Sequence, residues 1–367
     1  MPSKEILWNC EPRTKAKLSI VSDYLAAWFS ILAVKEFKHV IYIDGFCGPG
    51  KYLAGEEGSP LIATRLANSM AQKYPGFKAT LIFIDENPFA LEHLATLAAV
   101  KKPHPNVTVE IKRGKFAEEV GSILDYLKQN KKSPTFSFVD PFGFGQSPYE
   151  TLKLLMHNEH SELFVNFWCG FMNRFKEHPD PEVTQKIKDM IGSNDLLSVI
   201  NAADPIEALC NLFETNLKNI GRFTLKFAMR DEGNIRDNAF FFCGRQPRGF
   251  EKIKEAMWKL DPEHGNEFSA HLNKKDKIAP ATLFDREPQT AKLSRLLVEK
   301  FKGKNNISVD RVFKWVVEDT NNFLPKHARV ELERLLSRNE IAFFDPDSSK
   351  PKRKSNTWAG RLLLSFK

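Results

Sequence analysis

Apolar residues first recur at helical spacing, at Leu18, Val21, Leu25, Trp28, Phe29 and Leu32, which predicts an amphipathic helix over residues 15–32. The pattern then shortens to Val-Ile-Tyr-Ile-Asp at residues 40–44, a β-rich run that ends on an acid. Ser59-Pro60 opens a second helix through Met70, with Ser as a favoured N-cap and Pro at the first helical position. The two periods alternate from there, with strands over 79–84, 107–111, 135–139 and 163–168 and helices over 88–100, 117–129 and 148–157. Such alternation predicts an α/β fold, a parallel sheet covered on both faces. Two later strands, 223–229 and 238–243, flank the turn Asp231-Glu232-Gly233-Asn234, and a helix follows over 249–260. The polar, helical residues 179–219 read as an insertion or lid.

Residues 261–288 are rich in Asp, Pro, His and Asn and carry little periodicity, so they read as a linker between a first domain, 1–260, and a second, 289–367. The second domain shows helical patterns over 290–301, 309–319 and 325–337. The apolar Ile341-Ala342-Phe343-Phe344, a basic loop, and Thr357-Trp358 complete it. Three helices and a two-stranded wing make a winged helix-turn-helix. No internal repeat is visible.

Composition bounds the answer further. At 42% hydrophobic and 27% charged the chain reads as an ordinary globular protein, and no apolar run stands out as membrane-spanning. The first residues lack the charged-then-apolar pattern of a signal peptide. The five cysteines, at 10, 47, 169, 210 and 243, have no close metal-ligand spacing; they predict free thiols in a cytoplasmic protein and no metal site. Net charge is +8, and residues 287–367 hold most of it, with 17 Lys/Arg against 10 Asp/Glu. A neutral body with a basic second domain points to a polyanionic partner such as DNA or RNA, although a solvated basic surface has the same composition. The residues placed to touch phosphate are Lys350, Lys352, Arg353 and Lys354 in the wing, with Lys326, Arg329, Arg334 and Arg338 on the third helix.

Three motifs carry candidate chemistry. After the first strand comes Asp44-Gly45-Phe46-Cys47-Gly48-Pro49-Gly50, where Gly45, Gly48 and Gly50 allow a tight turn and close approach of a ligand. The next helix begins some ten residues later, which argues against pyrophosphate binding through its N-terminus. Asp85 and Glu86 end the second strand, where a carboxylate can accept both hydroxyls of a ribose. Asp140-Pro141-Phe142-Gly143 ends the fourth strand: a carboxylate to hold an amine, a Pro that fixes the backbone and a ring to stack on a base. Each of the three is also what an ordinary strand-ending turn contains.

These runs, with Gly58-Ser59-Pro60-Leu61, Thr14-Lys15-Ala16-Lys17-Leu18 and Tyr24-Leu25-Ala26-Ala27-Trp28, resemble the three-Cys-motif partner (TcmP) family over roughly residues 10–260. The C-terminal segment is similar to the winged-helix domain often attached to that family. The resemblance implies a Rossmann-like sheet of the S-adenosyl-L-methionine (SAM) dependent methyltransferase kind, closed by the late hairpin, and a three-cysteine-motif protein as a partner. The Asp-Pro-Phe-Gly tetrad is also similar to that of tRNA guanine-N2 methyltransferases and to the Asp-Pro-Pro-Tyr of amino-methylating DNA enzymes. The expectation is therefore a SAM-dependent methyltransferase acting on a nucleic-acid amine. Asp44, Gly45, Phe46, Gly48, Gly50 and Asp85, with Glu86 as the alternate, would hold the cofactor. Asp140, Pro141, Phe142 and Gly143 would hold the substrate. Two other classes remain open: a SAM- or nucleotide-binding module that binds DNA, and an inactive subunit that docks the three-cysteine protein.

Overall fold

The structure is a computed structural model, and it describes residues 6–35, 37, 39–143, 145–230, 236–270, 289–347 and 357–367. The chain divides into two compact units, Met1–Ala256 with Glu267–Ala279, and Met257–Asn266 with Pro280–Lys367.

The first unit is a mixed α/β structure on one eight-stranded, mostly parallel sheet. Its strands are β1 Val40–Asp44, β2 Ala79–Asp85, β3 Val107–Arg113, β4 Thr135–Val139, β5 Ser161–Phe167, β6 Phe223–Arg230, β7 Arg236–Gly244 and β8 Glu267–Ser269. They lie in the order β3-β2-β1-β4-β5-β7-β6-β8, and β7 alone runs antiparallel to its neighbours. The order reverses between β1 and β4, as in a Rossmann-like sheet.

Strand composition dictates this. β1, β2, β4 and β5 are buried at every position, so neither face can meet water, and each must be covered by helices. Ile41, Ile43, Ile82, Val165 and Phe241 point to one face. There they pack against α5 Phe116–Gln129, α6 Tyr149–Leu155, α7 Cys169–Phe175, α8 Pro181–Ile191 and α10 Pro205–Ile220. The alternate residues point the other way. Tyr24 and Trp28 of α1 (Pro12–Val34) lie against Phe136 of β4, and Phe250 of α11 (Pro247–Leu260) against Phe242 of β7. α2 (Ser59–Lys73), the short α3 (Pro88–Thr96) and α4 (Ala98–Lys101), and α9 (Leu196–Ile200) complete the unit.

Several expectations need correction. Residues 179–219 are helical but are no lid: Ile187, Met190, Cys210, Phe213 and Leu217 are core residues, and Phe213 stacks on Phe167 of β5. Their polar residues form the outer face of helices that cover the sheet. The single helix expected over 88–100 breaks at Leu97, which is extended (φ −68°, ψ 128°). Residues 261–288 are not all linker, since β8 pairs in parallel with β6. α1 is long and apolar enough, by length and composition, to cross a membrane. Its apolar face is instead spent on the sheet and on α2, with Ile20, Val21, Leu25 and Phe29 buried.

The second unit holds α12 Ala291–Phe301, β9 Ile307–Ser308, α13 Val309–Asp319, α14 Pro325–Ser337, β10 Ile341–Phe344 and β11 Leu363–Phe366. The three strands form an antiparallel sheet, β10-β11-β9. The partner of β10 is thus Leu363–Phe366 and not residues 357–358. Leu364 and Phe366 alternate with more exposed neighbours, the period that a half-buried strand requires, whereas Trp358 is a buried core residue of the unit.

One buried acid gives the fold a pH dependence. Glu162 of β5 is fully buried and accepts a hydrogen bond from the Tyr24 hydroxyl at 2.7 Å. Burial pushes its carboxyl up to about 7, against the lowering effect of bonds from Tyr24 and Trp28. The folded chain therefore holds this proton more tightly than the unfolded chain, whose glutamate titrates near 4.5. The resulting stabilisation is complete below about pH 4.5 and is lost as pH rises to about 7. Glu162→Gln keeps an acceptor for Tyr24 and removes the titration. Denaturant unfolding should show a smaller loss of stability between pH 5 and pH 7.5 in the variant than in the wild type, and equal losses would refute the assignment.

Candidate active site

The carboxyl ends of β1, β4 and β5 and the amino end of the antiparallel β7 open into one cavity of about 500 Å³. Its lining combines the turn after β1 (Phe46 to Tyr52), Ser59 of α2, the turn after β4 (Asp140, Pro141, Phe142) and Asn166 and Trp168 of the β5 end. Trp8, Arg13 and Lys17 line it from the N-terminal segment and α1, and Asn238 and Phe240 from β7.

The glycine-rich turn is stitched to its neighbours by the backbone. Gly45 N–H donates to Phe138 O (2.9 Å), Cys47 N–H to Ile84 O (3.0 Å) and Gly58 N–H to Gly50 O (2.8 Å). Gly48 and Gly50 have φ of +61° and +81°, which side chains rarely adopt. Packing beneath the turn adds a second demand. A Cβ on Gly45 would lie 2.6 Å from the Phe116 ring, and one on Gly50 would lie 2.7 Å from Leu94 and 2.9 Å from Leu97. The helix break at Leu97 thus lets a side chain close under Gly50. A Cβ on Gly48 would meet only Trp8, at 3.8 Å, on the cavity side.

The acids expected to hold a cofactor sit below or beside this cavity. Asp44 is fully buried and bonds to the Tyr42 hydroxyl (3.2 Å), Phe46 N–H (3.4 Å) and the Ser59 side chain. Burial pushes its carboxyl up to about 7, with Asp140 adding to the rise and the three bonds opposing it. Ser59 therefore does not cap α2. The N-cap is Gly58, and the serine hydroxyl serves the buried acid. Asp85 is buried and tied to the backbone, with Oδ2 accepting from Gly48 N–H (2.9 Å) and Oδ1 from Asn87 N–H (2.8 Å). It braces the turn from the β2 side and does not line the cavity. Glu86 follows it, exposed and also outside the lining.

The substrate residues converge. Asp140 Oδ2 accepts from Lys17 Nζ, and Oδ1 accepts from Asn166 Nδ2 (2.8 Å). Asn238 Nδ2 donates to Asn166 Oδ1 at 2.6 Å. Trp168 Nε1 donates to Pro141 O (2.7 Å) and pins the turn that carries Phe142. Phe142 is 62% exposed and meets Trp8 edge-on at 5.8 Å; Trp8 also meets Tyr52, at 6.1 Å. Gly143 has open space where a Cβ would stand, so nothing in its packing demands glycine. Phe46 lines the cavity and also packs on Phe116, at 5.2 Å.

Lys17, Asn166, Asn238 and Trp8 were not singled out as site residues from the sequence. Asn166 left a signal, an amide alone in the otherwise apolar Phe164-Val165-Asn166-Phe167. A buried amide in a core strand needs a partner, and here the partners are Asp140 and Asn238.

In the second unit the cations of α14 and of its C-cap, Arg338, are engaged. Lys326 Nζ lies 5.9 Å from the Trp258 ring and the Arg329 guanidinium 4.9 Å from the Phe313 ring. Arg334 pairs with buried Glu331 at 2.7 Å and Arg338 with Glu340 at 3.9 Å. Lys350, Lys352, Arg353 and Lys354 lie outside the described residues.

No family model matches the chain, and no curated protein does. Among solved structures, similar ones include a Legionella pneumophila protein of the DUF519 family model (11% identity, TM-score 0.38), with 64% of this chain and 88% of that chain covered. Another is a candidate caffeoyl-CoA O-methyltransferase from Staphylococcus aureus (12%, 0.31), with 60% and 82% covered. A third is a DUF574 family protein from Streptomyces avermitilis (14%, 0.33), with 64% and 88% covered. Scores this low add nothing to the fold, which rests on the strand order.

The bracing role of Asp85 has a measurable consequence without any ligand. Asp85→Ala orphans two backbone N–H groups, at Gly48 and Asn87, and should destabilise the chain by about 1–3 kcal/mol. Thermal unfolding of the ligand-free protein should show the drop, and an unchanged Tm would mean that Asp85 does not hold the turn.

Proposed function

We propose that the chain is a SAM-dependent methyltransferase acting on an exocyclic or ring amine of a nucleic acid. One observation carries this reading: the glycine-rich turn after β1 and Asp140-Pro141-Phe142 after β4 line a single cavity where the strand order reverses. Open α/β sheets bind ligands at that point. The antiparallel pair β6–β7, with β7 inserted between β5 and β6, supports it, because the methyltransferase resemblance implies a closing hairpin there.

The residues present fit the cofactor. Gly48 leaves backbone open on the cavity side, where a Cβ would stand 3.8 Å from Trp8 in the space of a ligand. When bound, SAM supplies a methyl group on a sulfonium, already a good leaving group. The Gly45–Gly50 turn would cradle its amino-acid end. Asp44 would act on its amino group from below, through its neighbour Ser59. Glu86, exposed at the end of β2, would reach the ribose, while Asp85 would hold the turn against it through Gly48 N–H. Asp140 would orient the substrate nitrogen and accept the proton released as the N–C bond forms, and Phe142 would stack on the base. Positioning supplies most of the catalysis in such a transfer.

The Lys17–Asp140 pair favours a second reading. A carboxylate already bonded at both oxygens also suits a non-catalytic SAM- or nucleotide-binding subunit, one that docks a three-cysteine-motif protein. Asp140→Asn separates the two. In the enzyme it should leave SAM affinity within a few-fold by calorimetry and lower methyl transfer about a hundredfold. No SAM consumption by the wild type with DNA or RNA present, beside intact SAM binding, would leave the subunit.

The second unit runs helix, strand, helix, helix, strand, strand, the order of a winged helix-turn-helix, and we assign it the nucleic-acid contacts. Because the α14 cations already have partners, the wing residues Lys350, Lys352, Arg353 and Lys354 would carry most of the phosphate contact. Replacing all four by Ala in the full chain should weaken DNA or RNA binding and shallow its log–log salt slope by about 0.9 per lost contact on duplex DNA. An unchanged slope would place the contacts elsewhere.

A further inference from the structure

The polar side chains of the cavity floor form a directional chain. Asp140 accepts at both oxygens, from Lys17 at Oδ2 and from Asn166 at Oδ1. Asn166 must therefore turn its Nδ2 toward Asp140, which leaves its Oδ1 facing Asn238. Asn238 must in turn present its Nδ2 to that oxygen, at 2.6 Å. The remaining Asn238 oxygen is fixed by this sequence of choices. It has no hydrogen-bond partner among the described residues, and its residue is only 6% exposed. Reversing either amide would set two oxygens, or two N–H groups, against each other. A buried acceptor without a donor is costly, and the cavity that Asn238 lines is where a donor can come from.

We infer that Asn238 reads the substrate, accepting one N–H of a primary amino group whose other N–H is held by Asp140. The two acceptors flank one residue, Asn166, and a primary amine is the group with two hydrogens to give. β7 lies two strands beyond β4 on the side away from β1, so Asn238 stands on the substrate side of the cavity and not by the glycine-rich turn. The inference rests on the methyltransferase reading only for that choice of side. It narrows the substrate to a nucleobase with an exocyclic NH2, since a carbonyl in the same place would set its oxygen against two acceptors.

Calorimetry on the full chain tests it with mononucleotides that differ at that group: AMP and GMP against IMP, and CMP against UMP. At least one amino-bearing nucleotide should bind fivefold or more tighter than its counterpart. Asn238→Leu, close in shape, should bring that ratio below twofold, and Asn238→Ala should do the same if the Leu variant does not fold. No binding by any of the five, or no pair separated by fivefold in the wild type, overturns the inference, as does a preference that survives in a folded Asn238 variant. The companion assay is methyl transfer from SAM to the same nucleotides. A preference that Asn238→Leu abolishes, without methyl transfer, supports Asn238 as the reader while counting against the methyltransferase reading. Methyl transfer with equal binding overturns the Asn238 inference alone.

Discussion

A parallel sheet whose strands are apolar on both faces cannot leave either face to water, and most of this molecule's first unit answers that constraint. β1, β2, β4 and β5 are buried throughout, so helices must come from wherever the chain can supply them. On one face they include the segment between β5 and β6, where Phe213 stacks on Phe167. On the other they include α1, which precedes the whole sheet in sequence and brings Tyr24 and Trp28 onto Phe136. The apolar length of α1 is explained by this duty.

Coverage stops at the carboxyl ends of the strands, and the polar residues gather there. Asp44, Asp85, Asp140 and Asn166 all sit at or just beyond strand ends, and each is buried or half-buried with named partners. Their roles divide by depth. Asp85 and Asp44 hold the glycine-rich turn in shape from below, through Gly48 N–H and through Phe46 N–H and Ser59. Asp140 and Asn166 line the cavity itself. The turn is glycine-rich as much for the Phe116, Leu94 and Leu97 side chains under it as for any ligand above it.

Much of this was legible in the sequence, because it is written in local periodicity. The Val40–Asp44 and Thr135–Val139 runs and their following turns could be placed from alternation and turn chemistry alone, and both turns line the same cavity. What was not legible depends on contacts distant in sequence. Lys17 looks like any helix-surface cation until Asp140 is opposite it. Asn238 looks like the polar start of a strand until Asn166 is found beside it. The mistaken lid over 179–219 and the misplaced wing strand have the same origin. Local polarity describes the outer face of the helices, and the short Leu364/Phe366 alternation is less conspicuous than Trp358.

The floor of the cavity joins residues 17, 140, 166 and 238, drawn from α1, β4, β5 and β7. Contacts of such sequence separation are slow to form, because chain-closure entropy is lost before they repay it. During synthesis, α1 and β1 emerge long before β7, and until that strand inserts antiparallel beside β5 the carboxylate and amide at the centre lack their full set of partners. The bonded floor of the cavity is therefore a property of the finished sheet. A chain stalled before residue 238 would hold most of the first unit's hydrophobic surface, yet the Asn166 oxygen would lack its donor.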